Sequence, residues 1–201
     1  MSEDRGSGPI TLADLLSFVG KDGLSRTVGF DVKPEDLDTI KASTRLRRRW
    51  SEMLQESRGM PPSVSPGDGP VVRLALTGDL EAFAEQVDAH LQSDRIRREI
   101  SGPRVAELRR RYGDEVYEAA LAWTGPLPEA RADGWAAIDK WIAVQASPLR
   151  EYLMLRRPSP DPDRWVGPAP IMLLDHAARC VAEHGDQPGQ NRSPIRQERA
   201  A

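Results

Sequence analysis

The stretch RIRREISGPRVAELRRRYGDE, Arg95 to Glu115, gathers seven arginines around a Gly-Pro step. It suits either a DNA-reading helix-turn-helix or a helical corner whose basic side faces water. The apolar residues weigh between the two. Ser93 or Asp94 is placed to cap a short helix bearing Ile96 and Ile100. Gly102 would end that helix, and Pro103 falls where the next begins, at a position that needs no amide hydrogen. The second helix then presents Val105, Leu108 and Tyr112 at steps of three and four. Gly113 stops it, and Asp114 opens a third helix with Val116, Tyr117, Ala120, Leu121 and Trp123. Burying this set stabilises the unit by roughly 1.5–3 kcal/mol per large side chain. The arginines alternate with the apolar positions, so their stems can cover the core's edge while their heads stay solvated.

A DNA-reading second helix wants base-edge donors near its N-terminus and phosphate contacts beyond it. Pro103, Arg104, Val105, Ala106 and Glu107 supply only Arg104, and Glu107 would face phosphate unfavourably. Glu81, Glu85, Asp88, Glu115 and Glu118 lie close by in sequence. The corner is therefore read as structural first. Arg97, Arg98, Arg109 and Arg110 are candidates for contacting a protein partner. A helical DNA-binding regulator using Arg95 to Arg111 stands as the alternative.

Outward from the corner the whole chain reads as all-α, a single irregular bundle of short helices with Pro/Gly corners and flexible termini. Its 201 residues suffice for one fair core. Residues 1–9 read as a loose N-terminus. Residues 10–57 read as a helical segment docked on the core, in which Thr11 caps TLADLLSFV, Gly20 and Gly23 stop it, and a new helix starts near Pro34. GKDG at Gly20 reads as a loop fragment. The prolines and glycines around residues 58–70 read as a linker loop. Residues 71–184 form the main helical domain, with a break at Gly78 capped by Asp79 and further helices after the turn TGPLPEARADG, from Ser147-Pro148 and from about Pro170. Residues 185–201 lack an apolar pattern and read as a disordered tail.

Composition narrows the function. The net charge of −3 is unlike that of an obligate polyanion binder. Twenty-four of the 28 basic residues are arginine, a skew that weakens any one arginine as a functional signal. No run approaches the roughly 18 apolar residues of a membrane span. No secretory leader is read at the N-terminus, and a single cysteine, Cys180, fits a reducing cytoplasm.

Phosphate-loop, dinucleotide-binding and nucleophile-elbow motifs are absent, so neither enzymatic activity nor a cofactor is expected. The best chemical candidate is DHAARCVAEH, where His176, Cys180 and His184 recur four apart. Neighbours in that series sit about 40° apart around a helix and could chelate, but all three together drift by about 80°. A closed metal site usually recruits a second segment, so packing of Cys180 as a small hydrophobe is favoured. His90 reads as a helix-end residue whose charge would suit a C-terminus. Trp165, in the Pro-rich DPDRWVGPAP, either folds back on the helices or anchors a partner.

The block VVRLALTGDLEAF followed by IRREISGPRVAELRRRYGDEVYEAALAW resembles the K-subunit adaptor family of bacterial type III secretion systems. The matching features are an apolar Leu/Ala helix, the Ile96–Gly102 corner, the VAELRRRYG helix and its Tyr/Ala/Leu successor. GWAAIDKWIAVQASPLREYLMLRRP, Gly134 to Pro158, is similar to that family's later helix, Pro corner and ending. The resemblance spans roughly residues 70–158 and implies an all-α cytoplasmic adaptor of the sorting platform, found in both pathogenic and symbiotic export machines. It implies two partners: the cytoplasmic domain of an inner-membrane ring protein, and the pod protein that carries the ATPase cage. Attachment to the inner membrane would run through those proteins. No catalytic residue is implied.

Overall fold

Asp79 shows how local chemistry divides this chain. Its carboxylate accepts the amides of Glu81 and Ala82, both at 3.0 Å. It thereby satisfies two of the free N–H groups that open a helix, and it separates α5 (Pro70–Thr77) from α6 (Leu80–Leu91). The computed structural model describes residues 8–67, 69–99, 101–128 and 133–185. Among them the fold is all-α. The other helices are α1 (Leu12–Leu15), α2 (Lys21–Val28), α3 (Pro34–Ala42), α4 (Thr44–Arg58), α7 (Ser93–Arg98), α8 (Gly102–Tyr112), α9 (Asp114–Ala122), α10 (Gly134–Ala143), α11 (Ser147–Arg156) and α12 (Ile171–Gly185). A 3-10 turn spans Pro162–Arg164.

The core is built around α6. Leu80, Phe83, Ala84 and Val87 enter the main apolar cluster, which also takes Leu76, Ile138, Tyr152, Leu155 and Leu174. Helices α10 and α12 pack along α6, and α9 and α5 also adjoin it. The same cluster contains Leu12, Leu15, Leu24 and Leu54, so the N-terminal segment shares the core of the rest. A satellite cluster of Ala89, Ile96, Tyr112, Tyr117 and Ala120 closes the arginine corner onto the end of α6. Of the apolar set read at the corner, Ile96, Tyr112, Tyr117, Ala120 and Trp123 are buried, and Val105, Leu108, Val116 and Leu121 are partly buried.

Several local expectations are corrected. KDGLSRTV is helical as α2, not a loop. Gly23 sits inside it because a Cβ there would lie 1.7 Å from the Leu155 carbonyl oxygen of α11; a close helix–helix approach had the appearance of a stop signal. The first helix ends at Leu15 rather than Val19. The proposed linker is a strap: Ser63–Val64 (β2) pairs antiparallel with Ile10–Thr11 (β1), and Met60 is buried. Pro62 accepts the Leu12 amide at 2.9 Å, and the Tyr152 hydroxyl donates to the Pro61 carbonyl at 2.5 Å. Neither Ser93 nor Asp94 caps α7; Gln92 takes that position. Gly102 opens α8 instead of closing α7. Ile100 and the expected flexible ends, residues 1–7 and 186–201, lie outside the described residues.

Two arginines of LRRP, after the Pro corner, tie α11 down. Arg157 donates from Nε and Nη2 to the fully buried Asp139 of α10 at 2.9 and 3.0 Å, and stacks over Trp135. Asp139 also accepts the Asp161 amide at 3.0 Å, so this buried charge is both paired and hydrogen-bonded, as burial demands. Arg156 donates to the carbonyls of Ala75 and Gly78 at the end of α5, at 3.2 and 2.9 Å. Burial draws its pKa down to about 10.

Gly134 lets the start of α10 approach α6: a Cβ there would meet the Ala84 carbonyl oxygen at 2.0 Å and the Asp88 nitrogen at 2.8 Å. Gly134→Ala is expected to lower stability by about 1–3 kcal/mol in urea unfolding, the range for forced overpacking. Gly102→Ala meets nothing within 4 Å and should fall within about 1 kcal/mol of wild type, on either side.

Candidate functional site: a charged corner, an apolar groove and a buried histidine

The arginines of the corner divide into two kinds. Arg97 donates to the Trp123 carbonyl just past α9 and to Asp94, so it ties α7 to α9. Arg109 is held between Asp114 (2.7 Å) and Glu118, with its guanidinium over the Tyr117 ring. Those two carboxylates raise its pKa, the hydrogen bond to Asp114 most of all. Arg111 pairs with Asp88 at 3.2 Å, and the Tyr112 hydroxyl donates to the same carboxylate at 2.9 Å. Arg104 reaches Glu99 at 3.6 Å.

Arg98 and Arg110 differ. Arg98 is exposed and only 4.0 Å from Asp94 at its nearest. Arg110 is exposed and makes no ion pair among the described residues. Of the four arginines expected to meet a partner, Arg98 and Arg110 keep unspent charge, while Arg97 and Arg109 are engaged within the fold. Sequence periodicity cannot distinguish these two kinds: Arg97 and Arg98 share Asp94 on their own helix, and what ties Arg97 and Arg109 across helices is the Trp123 carbonyl and the α9 carboxylates.

Trp165 folds back. It is 2% exposed, and its indole N–H donates to the Pro168 carbonyl at 2.9 Å. A partner anchor at that position is therefore corrected to a core residue. The exposed apolar surface lies next to it. Leu127 and Pro128 face Val166, Pro168, Ile171 and Met172 across a groove of about 440 Å³. Val166, Ile171 and Met172 are 74%, 60% and 66% exposed, well beyond what a packed helix start needs. Sequence reading missed this surface, since Ile171 and Met172 fit the apolar opening of a buried helix.

The third feature lies between α6 and α12. His176 and Cys180, one helical turn apart, are brought together with Cys180 Sγ 3.7 Å from His176 Nε2. His90, on α6, comes within 5.1 Å of His176, ring centre to ring centre. The side chain of His184 lies outside the described residues. His90 does end a helix, but its expected favourable charge does not hold. It is fully buried, and desolvation draws its pKa down to about 4, so the ring is neutral. Burial, followed by the Glu183 carboxylate, pushes the Cys180 thiol up.

No family model, curated protein or solved structure matches the chain.

Replacing tied and untied arginines should separate the two kinds. Arg97→Ala is expected to lower the thermal midpoint by about 2–4 °C, the shift for roughly 1 kcal/mol in a chain of this size. Arg98→Ala and Arg110→Ala should leave the midpoint unchanged in the same melts.

Proposed function

We propose that this chain is a non-catalytic adaptor of a type III secretion sorting platform, linking the cytoplasmic domain of an inner-membrane ring protein to the pod protein. The observation that carries the reading is the presence of two exposed surfaces of different chemistry: the charged corner with Arg98 and Arg110 over the satellite cluster, and the apolar groove of Val166, Ile171 and Met172 beside the main core. An adaptor needs two such surfaces, and a rigid body to hold them at a set spacing. The resemblance over residues 70–158 supplies the partners, and that stretch folds as α5 to α11.

The two surfaces suit different tasks. Solvated charge on a fixed corner governs encounter rate and orientation more than affinity. Exposed aliphatic side chains around a groove contribute by burial, at about 25 cal/mol per Å² of apolar area covered. No described helix is long and apolar enough to cross a membrane; in this reading the protein works in the cytoplasm and is held at the inner membrane by its partners.

Nucleic-acid reading is less well supported. Arg104, Arg109 and Arg111 are each engaged by carboxylates of this chain. Glu107 sits exposed at the middle of α8, where it would oppose phosphate contacts along a recognition helix.

The test is capture of each purified partner by wild type and two surface variants. Arg98→Glu/Arg110→Glu should lose one partner and keep the other, and its remaining capture should be insensitive to moderate salt. Val166→Asp/Met172→Asp should show the reverse selectivity. Capture of neither partner by wild type would refute the adaptor reading. Tight duplex DNA binding that weakens steeply with salt would replace it with the regulator.

A further inference from the structure

We propose that His90, His176 and Cys180 form a metal site that binds one zinc(II) ion between α6 and α12, with a fourth coordination position left for water. One donor atom from each residue lies within 4.8 Å of the other two. A four-coordinate zinc holds nitrogen and sulfur donors roughly 2.0–2.3 Å from itself, and so about 3.3–3.7 Å from one another. The Cys180–His176 separation of 3.7 Å already meets that spacing. The other two separations, within 4.8 Å, would close by up to about 1.5 Å on binding.

The independent sign is His90. Its side chain is fully buried, and among the described residues Nε2 has no hydrogen-bond partner. A buried polar atom left so is costly, and such an atom calls for an explanation. At Nδ1 the nearer contact is the Gln86 backbone carbonyl, 2.7 Å away, against 3.2 Å for the Gln86 side-chain amide. A proton on Nδ1 donated to that carbonyl leaves the Nε2 lone pair free. Outer-shell carbonyls orient zinc-binding histidines in this way.

The surroundings fit a small site with one entrance. The Trp123 indole lies 5.9 Å from the His90 ring and 4.8 Å from the His176 ring, centre to centre. His176 is half-buried, so its side of the cluster is open to solvent, whereas Cys180 is buried. Two imidazoles and a thiolate suit a borderline-soft cation rather than calcium or magnesium. Binding converts the Cys180 thiol to thiolate and releases its proton to solvent. The ion would pin α12 to α6, and the site is independent of the adaptor reading.

The full chain, stripped of metal, is titrated first with cobalt(II) and then with zinc(II). We expect one equivalent of cobalt to produce a thiolate-to-metal charge-transfer band and the intense visible bands of a four-coordinate ion, and one equivalent of zinc to erase them. Zinc should also raise the thermal midpoint. Cys180→Ser should abolish the charge-transfer band. His176→Ala, at a half-exposed position, should weaken binding by more than the roughly 10–100-fold that loss of an outer-shell partner causes. Both variants should keep wild-type helicity by circular dichroism, and His184→Ala should bind as wild type does. Absence of a stoichiometric cobalt spectrum in the folded wild-type chain overturns the site, and so does binding that survives both Cys180→Ser and His176→Ala.

Discussion

Helix α6 is enclosed from several sides, and the rest of the structure depends on that enclosure. α10 and α12 lie along it, α5 and α9 adjoin it, and the arginine corner closes on its last turn. Seven of its twelve residues are buried, including two polar ones, Gln86 and His90. A helix in that position has little water to satisfy its side chains, so each buried polar atom must find a partner inside. Asp79 caps its start. Near its end, His90 Nδ1 donates to the Gln86 carbonyl one turn before it. What remains is His90 Nε2, left without a hydrogen-bond partner among the described residues and close to His176 and Cys180.

The same enclosure sorts the arginines. Those whose heads reach the core's edge are structural ties: Arg97 across α7 and α9, Arg156 onto the end of α5, and Arg157 onto buried Asp139. Arg157 sits where its removal would leave a buried carboxylate uncompensated, which is far costlier than losing an exposed pair. Arg98 and Arg110 carry no such duty. Surface charge that contributes nothing to the fold is free to serve recognition, and on α7 and α8 it is held at fixed spacing by the satellite core of Ile96, Tyr112 and Tyr117.

Much of the architecture was legible in the sequence because its signals are local. Apolar steps of three and four located α5 to α9, and Asp79 and Gly113 marked boundaries by their own chemistry, whereas Asp133, which caps α10, reads in the sequence as part of a turn. The failures share one cause, a tertiary contact overriding a local sign. Gly23 looked like a terminator because its reason for being glycine is Leu155, 132 residues away. Pro61 and Pro62 looked like a free linker because the groups they bind belong to Leu12 and Tyr152. For the candidate metal site, the four-residue step between His176 and Cys180 was visible. His90 was not, since 86 residues separate it from His176 and no periodicity connects two helices that meet only on folding. The apolar groove was hidden for a related reason: a helix start rich in Ile and Met reads the same whether covered or bare.

Native-state hydrogen exchange, resolved by residue, tests most directly whether α6 is the element on which the others rest. Its amides from Phe83 to Leu91 should be among the slowest in the chain and open only with global unfolding, while those of α8, exposed along most of its length, exchange by smaller openings. If the α6 amides exchange as fast as those of α8, or open while α10 and α12 stay protected, the helix is not the keystone and the account built upon it fails.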